Sequence, residues 1–157
     1  MRIKILGLIL ICLMIYGCAG TIPVPRQITK AFPIEAPFDG VWQAVIETFA
    51  DLQLPIQNME MDSGLITTDW IDFSSEKSKE YSDCGEIKFG LVEGGRSGKF
   101  NVFVKRILDN SCEVMVNCMY RQTQVKLNGD FYKNKDCVST GKLEADMFEL
   151  IKSKLKN

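Results

Sequence analysis

The stretch FNVFVKRILDNSCEVMVNCMYRQ, residues 100–122, decides the fold. In its second half Val114, Val116 and Cys118 alternate with their neighbours, which is the two-residue period of a half-buried strand. The polar triplet DNS at 109–111 separates this half from an apolar first half. The stretch therefore predicts two antiparallel strands, Phe100–Leu108 and Cys112–Gln122, joined by a tight turn.

The remaining segments predict an α+β fold around this hairpin. Further strands are expected at Gln27–Ile34, Ile56–Met61, Leu65–Phe73 and Cys84–Val92. Between the strands we expect a flexible hairpin tip at Glu93–Lys99 and a loop at Ser74–Ser82. A long polar connection at Thr123–Val138 is either a surface flap or an unrecognised short strand. The sequence thus predicts an antiparallel meander sheet of about five to six strands, with two helices packed on one face.

Two segments have the spacing of apolar side chains that is typical of amphipathic helices. The first runs from Pro37 to Leu52, and Pro37 suits a first helical turn. The second begins after Ser139 or Thr140, either of which can cap it, and ends near Leu155. The acidic side chains of the second helix are expected to face water: Glu144, Asp146 and Glu149.

Residues 1–17 have the pattern of an export signal. Two basic residues, Arg2 and Lys4, precede Ile5–Tyr16, an apolar run of twelve residues. A helix that spans the bilayer core has about 20 residues, whereas the apolar part of a signal peptide has about 7–15. The sequence therefore predicts a signal peptide at 1–17, a proline-containing tether at 18–26 and a single α+β domain at 27–157.

The segment IYGC at 15–18 resembles a bacterial lipobox, in which an apolar residue and a small residue precede a cysteine. The resemblance implies that Cys18 is acylated through its thiol and becomes the first residue of a lipoprotein, which its acyl chains attach to the membrane. Ala19 favours the outer membrane, because an Asp at this position retains enterobacterial lipoproteins at the inner membrane. We therefore expect a lipid-anchored protein that faces the periplasm.

The net charge excludes several kinds of partner. The leader holds two of the 19 basic residues and none of the 20 acidic residues, so residues 18–157 carry a formal charge of −3. This balance argues against nucleic-acid binding, which uses a clustered basic face. It also argues against attachment to anionic lipid by charge alone, so the acyl chains would supply the membrane contact.

The sequence contains no histidine, which removes Ser-His-Asp and Cys-His catalysis and HExxH zinc sites. The segment GGRSGK at 94–99 invites a phosphate-loop interpretation. However, Glu93 stands where that motif has its first glycine, and Phe100 stands where it has Ser or Thr. We therefore expect no enzymatic activity and no cofactor.

Four cysteines besides Cys18 lie in residues 18–157, and their spacing lacks the CxxC pairs of a zinc site. We therefore expect no metal and favour a disulfide, since the expected compartment is oxidising. Cys112 and Cys118 lie six residues apart on one strand, about 20 Å, and cannot bridge each other. Either one bridge forms or two crossed bridges form. We favour Cys84–Cys137, because both cysteines lie at the ends of predicted elements.

The two tryptophans have two interpretations. Trp42 and Trp70 could line a ligand groove between helix and sheet, or they could belong to the core, which is the commoner place for this side chain. We favour the core. The groove remains an alternative, because Trp70 lies on a strand with apolar groups on both faces.

The hairpin DSGLITTDW at 62–70, preceded by a helix that carries Val41-Trp42, resembles the BamC family of accessory lipoproteins of the outer-membrane β-barrel assembly machinery. The resemblance covers roughly Ile28–Phe73 and, more weakly, the last helix. That family carries two helix-grip domains, and this chain is long enough for one. The resemblance implies a non-enzymatic domain that binds envelope proteins, in envelope or outer-membrane protein assembly. The alternative is a module that binds a lipid or other apolar ligand between the last helix and the sheet.

Overall fold

Two long antiparallel strands form the centre of an eight-stranded sheet. The computed structural model describes residues 22–23, 25–73 and 75–156, so the predicted signal peptide and Cys18 lie outside the described residues. In chain order the elements are β1 (Ala31–Ile34), α1 (Phe38–Asp51), β2 (Ile56–Glu60), β3 (Leu65–Thr68), β4 (Ile71–Phe73), α2 (Ser75–Tyr81), β5 (Ser82–Asp83), β6 (Leu91–Leu108), β7 (Ser111–Lys126), β8 (Phe131–Ser139) and α3 (Lys142–Lys154).

The prediction of an α+β fold with an antiparallel sheet is confirmed. The expected numbers of elements are wrong, because the described residues form eight strands and three helices. No helix in the described ranges is long and apolar enough to cross a membrane.

The sheet is organised by the pairing of β6 with β7, which extends from Leu91 opposite Lys126 to Leu108 opposite Ser111. β3 and β4 pair with the other edge of β6, and β2 pairs with β3. β1 and β8 pair with different parts of the other edge of β7, and β5 pairs with the end of β8. Every one of these pairs is antiparallel.

The predicted hairpin tip at Glu93–Lys99 is wrong, because these residues lie inside β6. A bulge between Glu93 and Gly95 absorbs the irregularity while the pairing with β7 continues. Gly98 belongs in the strand for a packing reason. A Cβ atom there would lie 2.8 Å from a ring carbon of Phe73 and 2.9 Å from a ring carbon of Phe100.

The structure also tests two predictions about the segments that connect these strands. The expected loop at Ser74–Ser82 contains the short helix α2 and the first residue of β5. For the polar connection at Thr123–Val138 the strand alternative is confirmed and the flap is wrong, because the segment contains the end of β7 and most of β8. Both segments are polar, and their structure is set by pairing and packing against the rest of the chain rather than by an apolar pattern of their own.

The core lies between one face of the sheet and the two long helices. The even-numbered residues of β7 from Cys112 to Gln124 are all buried, whereas the odd-numbered ones are partly or fully exposed. Phe49 of α1 and Met147 and Ile151 of α3 are completely buried in this core. Lys154 of α3 joins the helices at the surface, with its Nζ 2.7 Å from a carboxylate oxygen of Asp51 on α1.

A one-residue bulge separates β3 from β4 and changes which side chains face the core. Thr67 pairs with Asn101 and Ile71 with Gly98, so four steps along one strand match three along the other. Thr68 stabilises the bulge: its Oγ1 accepts a hydrogen bond from the backbone N–H of Phe100 (3.0 Å) and donates one to the backbone carbonyl of Asp69 (2.9 Å). Before the bulge Ile66 and Thr68 face the core, and beyond it Ile71 and Phe73 do, so the single strand expected at Leu65–Phe73 is two strands with an irregularity between them.

Candidate interaction surfaces

A disulfide joins Cys84, in the loop after β5, to Cys137 near the end of β8. The sulfur atoms are 2.05 Å apart, and this is the pair that the sequence favours. Cys84 is buried and Cys137 is partly buried. The bond ties the segment before β6 to the strand that leads into α3.

The remaining two described cysteines, Cys112 and Cys118, are buried free thiols, so one bridge forms and the crossed pairs do not. Burial raises the pKa of the Cys118 thiol, and the negative charge of Glu144 raises it further. Burial likewise raises the pKa of the Tyr120 phenol. These groups therefore stay protonated and neutral in the folded domain.

Glu144 contradicts the expectation that it faces water, because it is completely buried. Ser139 Oγ lies 2.8 and 3.0 Å from its two carboxylate oxygens and donates a hydrogen bond to them. Glu144 also lies in the first turn of α3, where the helix dipole favours a negative charge. The carboxylate thus has a structural role at the start of the last helix.

The two tryptophans lie in different environments, and the structure does not bring them together. Trp42 is buried in the core and stacks on Phe38. Trp70 follows the bulge, is partly exposed, and has the guanidinium of Arg121 4.1 Å from its ring centre. Arg121 is one of the odd-numbered residues of β7 and points away from the core. A groove lined by Trp42 and Trp70 is therefore not formed, because the bulge turns Trp70 to the opposite face of the sheet.

The face of the sheet opposite the core, here called the open face, carries an apolar row across four strands. Leu65 on β3 pairs with Phe103 on β6, which pairs with Met115 on β7, which pairs with Ala31 on β1. All four side chains are partly exposed. Polar side chains flank the row: Asn101 and Asn117 on one side, Lys105 and Glu113 on the other.

One end of the sheet, here called the apolar end, exposes large apolar side chains. It consists of the turn before β6 and the β7–β8 hairpin, and its exposed apolar residues are Phe89, Val92, Leu127, Phe131 and Tyr132. Strand pairing places Val92 and Phe131 in one row, since each is opposite Val125, and it brings the turns that carry Phe89 and Leu127 side by side, since Leu91 is opposite Lys126. Phe89 is fully exposed, and Leu127 is 77% exposed.

Described residues elsewhere on the surface line further open clefts, two of which are large enough to note. One, of about 480 Å³, lies beside the start of α1 and the end of β6, where the guanidinium of Arg106 sits 3.5 Å from the ring centre of Phe38. The other, of about 360 Å³, lies beside the disulfide and is lined by Arg26, Lys79 and Arg96 among others. Arg96 is engaged in an ion pair with Glu93 at 2.8 Å.

Within the part of the chain that the structure describes, no group of three or more His, Cys, Asp or Glu side chains is placed to hold a metal ion. No protein-family model matches the sequence, and no curated protein matches it.

The open face and the apolar end were both missed by sequence reasoning. The alternation in β7 indicates that Met115 and its odd-numbered neighbours share a face, but it does not indicate which strands lie beside them. The apolar end depends on the β7–β8 pairing, which the polar composition of Thr123–Val138 conceals. Only the run of Phe131 and Tyr132 within that segment could have suggested a surface contact.

Proposed function

We propose that this chain is a non-enzymatic lipoprotein of the bacterial outer membrane. It is anchored through acyl chains on Cys18, and its periplasmic domain is helix-grip-like. The domain binds envelope proteins through the open face, in envelope or outer-membrane protein assembly. The observation that carries the proposal is the apolar row of the open face, in which four partly exposed apolar side chains line up across four strands.

The surroundings of this row fit a protein interface. Interfaces between proteins have an apolar centre and a polar rim, and aromatic residues and methionine are enriched in them. Phe103 and Met115 form the middle of the row. Asn117 and the cross-strand neighbours Lys105 and Glu113 supply polar groups that can hydrogen-bond a partner at the margin.

The packing on the other side of the sheet favours this proposal over an apolar-ligand module. A module that held a lipid between the last helix and the sheet would have an apolar cavity there. Instead, Met147 and Ile151 of α3 are completely buried, as are Val114 and Val116 of β7, the strand against which α3 packs. Side chains thus occupy the space where the ligand would lie.

The test is site-specific photo-crosslinking in cells that produce the full-length protein. A photoreactive amino acid replaces Phe103 in one variant and Gln43 in a matched control, since Gln43 is exposed on α1 and faces away from the sheet. We expect position 103 to form an adduct with an envelope protein, and position 43 to form none. Absence of an adduct at 103, together with extracted lipid bound to the purified protein, would contradict the proposal and support the apolar-ligand module.

A further inference from the structure

We propose that the apolar end inserts into the interface of the anionic bilayer to which the chain is tethered, and so fixes the orientation of the domain on the membrane. The inference rests on the proposed lipid anchor at Cys18. It adds a second membrane contact, made by folded residues, that neither the sequence pattern nor the proposed function includes.

The composition of the apolar end matches a bilayer interface. Aromatic side chains are enriched where the acyl chains meet the head groups, and lysines beside them bind anionic lipid. Phe89, Phe131 and Tyr132 are exposed there with Leu127. Phe89 and Leu127 lie in turns, and Phe131 and Tyr132 begin β8 directly after the second turn, so these side chains can enter the interface without any change in the sheet.

The charge of the apolar end is opposite to that of the whole domain. Residues 88–92 and 125–133 contain three lysines, Lys88, Lys126 and Lys133, and a single acidic residue, Asp130, which gives a local charge of +2. All three lysines are exposed, and none of them forms a salt bridge with another residue in the described ranges. Residues 18–157 as a whole carry a charge of −3, but the apolar end is basic and therefore complements an anionic surface.

The length of the tether allows the apolar end to reach the membrane. The guanidinium of Arg26 lies 4.0 Å from the carboxylate of Asp83, which precedes the disulfide-bonded Cys84. The tether therefore meets the domain near the disulfide to Cys137. From Cys137 to Phe131 the strand covers about 20 Å. Eight residues from Cys18 to Arg26 can span at most about 26–29 Å, so the anchor can lie level with the apolar end.

The reach of the tether argues against a membrane contact at the opposite end of the sheet. Cys137 pairs with Tyr120, and from Tyr120 to Ser111 at that end β7 covers about 30 Å. This distance is at or beyond the reach of the tether. Leu108 is 73% exposed at that end and thus provides an apolar control of nearly the same exposure as Leu127.

The experiment measures the depth of a tryptophan in the membrane. Acylated protein carrying Phe131→Trp is reconstituted into vesicles of phosphatidylethanolamine and phosphatidylglycerol whose acyl chains carry bromine, which quenches indole emission. Leu108→Trp is the matched control, and the parent protein gives the background from Trp42 and Trp70. We expect a blue-shifted, strongly quenched indole at position 131 and unquenched emission at position 108.

The lysines are tested in the same background. Each lysine near an anionic surface strengthens binding about five-fold, so Lys126→Ala with Lys133→Ala should shift the insertion equilibrium about 25-fold and reduce the quenching at position 131. Lys105→Ala, on the open face, should leave it unchanged. If the double substitution left the quenching at position 131 unchanged, the role given to the lysines would be refuted.

Other outcomes separate this inference from the function on which it rests. Equal quenching at positions 108 and 131, or none at 131, would refute the proposed orientation. Emission at 131 that depends on the amount of protein per vesicle, and not on bromine, would identify a second copy of the chain as the occupant and also refute it. A protein that carries no acyl chain would refute the anchor itself, which the tryptophan variants do not address.

Discussion

Replacing Gly64 with alanine should destabilise the domain more than the same change at another left-handed glycine. Gly64 is buried in the turn between β2 and β3, and its φ is +73°. A Cβ atom there would lie 2.1 Å from the backbone carbonyl oxygen of Val104, which is closer than any Cβ contact can be. Val104 also donates its N–H to the carbonyl of Gly64 at 2.8 Å, so relief of the clash breaks this bond.

The magnitude follows from these two effects. A side chain in the left-handed region costs roughly 1–2 kcal/mol. Breaking the bond between Val104 and Gly64 leaves buried polar groups unsatisfied, which adds about 1–3 kcal/mol. Gly64→Ala should therefore lower the free energy of unfolding by about 2–5 kcal/mol.

The control is Gly129→Ala in the β7–β8 turn. Gly129 has a φ of +90°, but nothing lies within 4 Å of the Cβ position, so only the backbone strain applies. Urea unfolding of the acylated protein in mild detergent, followed by tryptophan fluorescence, to which buried Trp42 and partly exposed Trp70 both contribute, measures both variants. If Gly64→Ala lost no more free energy of unfolding than Gly129→Ala, the close approach of β6 to this turn would be refuted.

Three further changes test the packing of the domain. Replacing Cys84 and Cys137 with serine opens a loop of 53 residues and should lower the free energy of unfolding by about 4 kcal/mol, measured by urea titration; no loss would mean that the bond does not form in the mature protein. Burial raises the pKa values of Cys118 and Tyr120 in the folded state, so the stability that they contribute is present below their ordinary values of 9.0 and 10.0 and is lost as the pH rises above them. The melting temperature should therefore fall as the pH rises from about 9 to about 11, and a flat profile would contradict their burial as neutral groups. Gly98→Ala overpacks two aromatic rings and should cost about 1–3 kcal/mol with a change in near-ultraviolet circular dichroism; an unchanged spectrum would argue against that contact.

The sequence was informative where the side chains on one face share a chemical character. The alternation in Cys112–Gln122 reflects one buried face, and this segment is indeed a strand. The stripes of the two long helices also predict their positions to within a few residues. In these segments the local pattern and the tertiary contacts favour the same structure.

The pattern failed where long-range pairing determines the structure. Glu93–Lys99 has three glycines and no apolar period, so its composition indicates a turn, yet pairing with β7 holds it in a strand. The bulge after Thr68 exchanges the side chains that face the core with those that face away from it, and no local sequence feature predicts this bulge. Glu144 is buried because Ser139, five residues earlier, bonds its carboxylate, which helical periodicity alone does not predict.

The candidate surfaces were hidden for the same reason. The apolar row of the open face joins Leu65, Phe103, Met115 and Ala31, which are far apart in sequence and meet only through strand register. The apolar end likewise assembles from two separate turns. Exposure of an apolar side chain is a property of the assembled sheet, so the sequence could not identify either surface.

The proposed compartment and the roles proposed for both surfaces depend on whether Cys18 is acylated. Intact-mass and peptide mass spectrometry of the protein purified from bacterial membranes gives that state. We predict a chain that begins at Cys18 and carries acyl chains, and a Cys18→Ser variant that is no longer processed in this way. A chain that retains Met1, or that begins at another residue with an unmodified Cys18, would contradict the proposed lipoprotein.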